Sequence, residues 1–112
     1  MKRVDKPWGY EEIWAETEKY VAKRMLIRAG QRMSLQYHEI KEETIYVTSG
    51  LLVLWEDKND EEFRILKEGE VYHVKPKQIH RFGADLTSDT VLIEVSTPEL
   101  DDVVRLADDY NR

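Results

Sequence analysis

The sequence predicts an all-β fold, a small barrel or sandwich of short strands. Two patterns carry that prediction and the length bounds it. Roughly eight to ten short segments dense in β-branched and aromatic residues, Thr44–Val47 (TIYV) and Thr90–Val95 (TVLIEV) among them, are separated by turn signals at short spacing. Ser34, Gln36 and His38 stand two apart, and alternate side chains of a strand point to one face. The chain has 112 residues, 41% of them hydrophobic, which suits one domain with a core of its own.

Taken in order, Lys6-Pro7-Trp8-Gly9-Tyr10 carries two breakers and reads as an extended arm or turn. Glu11–Trp14 is a short strand and Glu16–Lys19 a polar turn. Tyr20–Arg28 is a barrel-length strand, in which Lys23 and Arg24 fall on opposite faces, so one cation must point inward or lie at the rim. Ala29-Gly30 turns into the strand of Ser34, Gln36 and His38. Thr44–Val47 follows, and Ser49-Gly50 ends it. Leu51–Trp55 (LLVLW) is apolar on both faces, so either the barrel's two sheets cover both or one face meets a second copy of the chain; a chain this small has little to cover the outer face, which favours a homodimer. The charged loop Glu56–Glu62 leads to a returning strand at Phe63–Leu66. Val71–Val74, a strand beginning at Ile79–Phe82, and Thr90–Val95 complete the set. Thr97-Pro98-Glu99 reads as a helix start, with Thr97 as N-cap and Pro98 in the first turn, so a short helical segment is expected at the C-terminus. A single domain is expected over 1–112: an arm at about 1–15, the barrel at about 16–97 and a tail at about 98–112.

Composition excludes several function classes. There is no cysteine, which removes disulfides and thiolate metal sites and fits a cytoplasmic protein. No apolar run approaches the ~20 residues needed to span a bilayer. Acidic residues and lysines occupy the place where the apolar part of a signal peptide would stand. A net charge of −6 argues against nucleic acid as a partner, though a local cationic pocket could still take a phosphorylated small molecule.

Chemistry concentrates between Gly30 and Gly50. Gln36 and His38 share a strand face, and a turn through EIKEE returns Glu43 beside them. Nitrogen or amide groups facing a carboxylate are the start of a divalent metal site. Glu42, next to Glu43, falls on the opposite face. The spacing Gly30, Gln36, His38, Glu43, Gly50 resembles the first motif of the cupin superfamily, and Gly69-EVYHVK-Pro76-KQI-His80 resembles the second. Met33-Ser34-Leu35-Gln36-Tyr37-His38 is similar to the Ser-Leu-Gln-x-His signature of the phosphomannose isomerases. Lys6-Pro7-Trp8-Gly9, His80-Arg81 and the closing stretch Asp101–Arg112 resemble the C-terminal cupin domain of their type II members. In bifunctional members this domain follows a larger nucleotidyltransferase domain, which these 112 residues do not contain, so guanylyl transfer is not expected of them.

That resemblance implies a cupin jelly roll, or double-stranded β-helix. It also implies a metal site of Gln36, His38, Glu43 and His80, holding one divalent ion. Zn²⁺ suits two imidazoles, a carboxylate and an amide, and Mn²⁺, Fe²⁺, Co²⁺ and Ni²⁺ are also compatible. The implied activity is mannose-6-phosphate isomerase-like, an aldose–ketose isomerisation serving carbohydrate and polysaccharide precursors. The metal would polarise the C1 and C2 oxygens of an open-chain sugar phosphate while a base moves the proton between these carbons. Lys23, His73 and Arg81 are the candidate catalytic residues. Ser34, Lys23 and Arg81 are the candidate substrate contacts, the cations for a phosphate. Two departures from the family pattern flank His80: Lys75-Pro76-Lys77 stands where Pro-Pro-Gly is usual, and Ala84 where many cupins have asparagine. Two other readings compete: a non-catalytic sugar- or metal-binding cupin module, and a different cupin enzyme, an oxygenase or lyase. Cupins host many chemistries, so the fold does not choose among them.

Overall fold

Eleven strands and no helix make up the chain in the computed structural model, which describes residues 1–112. Six strands form one sheet: β1 (Lys2–Lys6), β2 (Gly9–Glu16), β3 (Val21–Ile27), β5 (Glu43–Ser49), β8 (Val71–Val74) and β10 (Thr90–Ser96), in the order β1-β2-β3-β10-β5-β8. Facing it are β6 (Leu52–Trp55), β7 (Arg64–Leu66) and β9 (Arg81–Ala84), in the order β7-β6-β9, and a two-stranded ribbon of β4 (Leu35–Tyr37) and β11 (Val104–Ala107). Antiparallel bridges at Arg32↔Gly83 and Gln36↔His80 join the ribbon's approach to β9. The second layer is therefore continuous just where the metal-ligand candidates lie.

Strand parity decides what each layer buries. Ile45 and Val47 of β5, Met25 and Ile27 of β3, Leu92 of β10, and Leu52 and Leu54 of β6 point between the sheets and are almost fully buried. Each such side chain contributes on the order of 1.5–3 kcal/mol from its removal from water. Turn chemistry agrees with the pattern: Thr17 Oγ1 accepts the Lys19 and Tyr20 amides in the β2–β3 turn. Gly50, after β5, has φ +79°, and a Cβ there would collide with the Asp89 carbonyl oxygen. That backbone suits glycine alone.

Several expectations are corrected. No C-terminal helix forms. Thr97 does not cap one, because its Oγ1 accepts the Glu42 amide and its own N–H donates to the Glu42 carbonyl. The chain then runs extended into β11, where Val104 pairs with Tyr37 and Arg105 with Gln36. The N-terminal segment is not an arm outside the barrel, since β2 pairs with β3 along its length and β1 with β2. Pro7-Trp8 makes the turn between them, and Trp8 enters the core. The outer face of the LLVLW strand is only partly covered from within the chain: Trp55 is half-buried, and Leu51 is exposed. Trp55 lies beneath the Arg32 guanidinium at 5.1 Å and beside Phe63, and its indole N–H donates to the Asp60 carbonyl.

Lys77 adopts φ +67°, the left-handed conformation that the departure from Pro-Pro-Gly threatened. Its amide donates to the His38 carbonyl, which holds the strained turn against the ligand strand. Lys77→Gly is expected to leave the fold intact and raise stability by up to about 1 kcal/mol, the left-handed penalty less glycine's unfolded-state entropy. A denaturant midpoint unchanged or lowered would contradict this.

Candidate metal centre and its pocket

Three elements deliver the ligands. Ser34, Gln36 and His38 line one pocket from β4 and its flanks, Glu43 enters from the start of β5, and His80 from the residue before β9. Gln36 and His80 face each other as a hydrogen-bonded pair, each main-chain N–H donating to the other's carbonyl. His38 Nε2 lies 3.0 Å and His80 Nε2 3.2 Å from Glu43 Oε1. One ligand atom from each of the three residues lies within 4.8 Å of the others, and all three residues are buried.

The main chain orients both imidazoles. His38 Nδ1 donates to the Asp102 carbonyl at 2.5 Å and His80 Nδ1 to the Gln78 carbonyl at 3.0 Å. Each ring therefore turns its Nε2 lone pair toward Glu43, the arrangement that outer partners of metal-bound histidines impose. Two lone pairs facing a carboxylate oxygen repel unless a proton or a cation lies between them. Glu43 Oε2 and Ser34 Oγ, both buried, have no hydrogen-bond partner. This donor set fits a divalent ion, with the Gln36 amide on the same pocket wall.

Asp102 also holds this corner. Its carboxylate accepts the amides of Glu39, Ile40 and Lys41, and these backbone N–H groups keep its carboxyl below the usual range. Asp102→Ala is expected to loosen the loop between His38 and Glu43 and weaken metal affinity about 10–100-fold, the usual effect of losing an outer-shell support. A metal titration monitored calorimetrically would show it, and an unchanged affinity would remove Asp102 from the site.

Beside the ligands lies a buried ionic chain that the sequence reading did not anticipate. Lys23 Nζ is 3.0 Å from Glu11 and 3.5 Å from Glu94, and Lys41 Nζ is 3.2 Å from Glu94 and 3.9 Å from Glu43. Burial pushes the Glu94 carboxyl up to about 7, and the neighbouring Glu43 carboxylate adds to it. Burial acts in the same direction on Glu43, but the polar groups of Glu94, His38 and His80 around it, with the Lys41 ammonium, hold its carboxyl well below the usual value. For Lys23, burial opposes the ammonium, and Glu94 and Glu11 outweigh it, so its pKa is raised. Glu94 was detectable by parity, because it shares the inward face of β10 with Leu92 and Thr90. Glu11 shares the inward face of β2 with Ile13. Lys41 lies in the loop before β5, where no pattern marks it.

The remaining site candidates separate. Lys23 lines the pocket but is neutralised by two carboxylates. Arg81 does not line it. The residue after His80 points the other way along β9, and the Arg81 guanidinium donates to the Met33 and Ala107 carbonyls and to Asp60. It rivets the β4 approach, the C-terminal strand and the charged loop together. His73 is exposed on the outer face of the six-stranded sheet, 2.7 Å from Glu42 and bonded to Thr44. Tyr72 and Val74 point inward, so parity turns His73 away from the ligands. Neither Arg81 nor His73 is placed to touch a substrate in this pocket.

The family model described as "Mannose-6-phosphate isomerase C-terminal" matches residues 1–108. Among curated proteins, the mannose-1-phosphate guanylyltransferase of Escherichia coli is 30% identical over 99% of this chain and 23% of its own length. The xanthan biosynthesis protein XanB of Xanthomonas campestris is 29% identical over 99% of this chain and 24% of its own. The chain thus spans about a quarter of these relatives' length. A cupin-like protein from Thermotoga maritima superposes with a TM-score of 0.77 at 22% identity, covering 88% of this chain and 76% of that one. The last comparison shows the cupin fold. No helix of the chain is long and apolar enough to cross a membrane.

Proposed function

This chain belongs to the mannose-6-phosphate isomerase C-terminal family, and from that premise we propose that it is a metal-dependent aldose–ketose isomerase of a sugar phosphate, with mannose 6-phosphate as the first candidate. The observation that carries the proposal is the pairing of two features in one pocket of about 280 Å³. A set of metal donors sits directly against buried acid and ammonium groups that the donors do not use. Gln36, His38, Glu43 and His80 would hold a divalent ion, Zn²⁺ on this donor set. When bound, that ion supplies Lewis acidity toward the carbonyl and hydroxyl oxygens of an open-chain sugar.

The chain's own groups then divide the remaining work. Isomerisation moves a proton between two adjacent carbons, which needs a base within reach of both. We assign it to Glu94, a pocket carboxyl outside the donor set whose Oε2 is 3.2 Å from Lys41 Nζ. Lys41 and Lys23 balance the charge as the proton is held and returned. The buried, unpartnered Ser34 hydroxyl is free to bond a sugar hydroxyl. Glu94, Lys23, Lys41 and Ser34 are each buried, which strengthens these interactions.

Conversion of mannose 6-phosphate to fructose 6-phosphate by the metal-loaded chain, abolished by chelator, is the expected result. Metal and sugar phosphate bound with no turnover would overturn the isomerase reading. It would favour a non-catalytic binding module, the reading supported by relatives four times longer, whose names are a guanylyltransferase and a polysaccharide biosynthesis protein.

A further inference from the structure

The cations closest to the metal donors are already committed. On the pocket floor, Lys23 and Lys41 face Glu11, Glu43 and Glu94 at 3.0–3.9 Å, and Arg81 is turned out of the pocket into main-chain carbonyls. A phosphate dianion on this floor would meet three carboxylates in a low-dielectric setting, where like charges repel strongly. The floor suits the uncharged, hydroxyl-bearing end of a ligand.

The mouth is different. Lys2 and Lys6 of β1 line the pocket, alternating with Val4 on one strand face. Arg3 and Asp5, on the opposite face, pair with each other. Arg105 of β11 also lines the pocket, opposite Gln36 in the antiparallel register. That register places Arg105 on the same face as the ligand strand's Gln36. Lys2, Lys6 and Arg105 make no ion pair with any carboxylate. Arg112, the fourth cation at the mouth, is held by Asp108. In a chain of net charge −6, unpaired cations thus come from both chain ends to one opening, and beneath them the Ser34 hydroxyl has no partner.

We propose that Lys6 and Arg105, with Lys2 beside them, form an anion subsite that takes the phosphate of a phosphorylated sugar at the pocket mouth. The sugar then enters with its phosphate outward and its reactive end toward Gln36, His38, Glu43 and His80. Arg105 supplies a planar fork and Lys6 a point charge, the two modes by which proteins grip phosphate monoesters. This rests on the sugar-phosphate reading above but not on turnover. It also gives a role to the chain's two terminal strands, which a detached core of the barrel would lack.

The test is calorimetric titration of the metal-loaded chain with mannose 6-phosphate, mannose and inorganic phosphate. The variants are Lys6→Gln, Arg105→Gln and their double, with Lys67→Gln as a control for charge alone. All three positions are at least partly exposed, so metal content and Tm are expected to match the parent. Each pocket variant is expected to weaken mannose 6-phosphate roughly tenfold and the double about a hundredfold. Mannose binding and the Lys67→Gln control are expected not to change. Mannose 6-phosphate bound equally by parent and double variant would overturn the subsite, as would a parent with no preference for the phosphorylated sugar. Inorganic phosphate that binds only with metal present, and equally well to Arg105→Gln, would place the anion on the metal and also overturn it. Phosphate-dependent binding lost in the variants without turnover in the parent would uphold the subsite and sink the isomerase reading alone.

Discussion

Replacing Lys23 with methionine is expected to destabilise the fold by about 3–5 kcal/mol, the cost of leaving buried charges without their partner. Methionine keeps most of the aliphatic stem and the strand geometry, so the loss isolates the ammonium. Lys23 is only 6% exposed, and its neighbours Glu11 and Glu94 are buried on the same inward face. Without the ammonium, Glu11 loses its only ion-pair partner and Glu94 keeps only Lys41. For a chain of this size the fall in Tm would be on the order of 10–25 °C. The companion variant Lys23→Met/Glu11→Gln/Glu94→Gln is expected to recover most of that loss, since neutral amides remove the uncompensated charges. Thermal melts of both variants decide it. A single variant within about 1 kcal/mol of the parent would show that the ionic chain is solvated and carries little of the fold.

Motifs whose positions are dictated by the backbone were the legible part of this sequence. Gln36 and His38 fall together because alternate residues of a strand share a face, whereas Glu43 reaches them from β5, a strand of the six-stranded sheet that does not pair with β4. Gly50 belongs to the same motif because its turn excludes a side chain. Sequence misleads where a residue's neighbour along the chain is not its neighbour in space. Arg81 was grouped with His80, yet adjacent strand residues face opposite ways, and its guanidinium serves the other side of the layer. His73 faces outward because it alternates with the inward Tyr72 and Val74 on β8. The C-terminal segment was misread because Thr97-Pro98 satisfies a local helix rule, while the competing bonds to Glu42 are long-range and invisible in a window of ten residues. Lys41 shows the limit most plainly. A lysine in a charged loop looks like a solvated residue, and only the closed barrel brings its Nζ to within 3.2 Å of Glu94, fifty-three residues later.

Zinc added to the metal-stripped parent is expected to raise Tm strongly, and His80→Ala is expected to abolish that rise. Binding to the folded state alone stabilises it by about 4 kcal/mol at a metal concentration a thousandfold above Kd. A three- or four-donor site readily reaches that regime. The order among variants tests the geometry more sharply than any one of them. His38→Ala, Glu43→Gln and His80→Ala each remove one of the three convergent donors and are expected to lose the shift. Gln36→Ala removes a neutral amide, a weaker ligand, and is expected to keep part of it. His73→Ala lies outside the pocket and is expected to keep all of it. In the stripped parent the two Nε2 atoms and Glu43 Oε1 are held against one another by bonds to the Asp102 and Gln78 carbonyls. Those bonds keep the site formed before the ion arrives, so metal should bind without a change in strand content. If His73→Ala abolished the shift while His80→Ala kept it, the ion would lie on the outer face of the six-stranded sheet, and the pocket would have to be read without a metal.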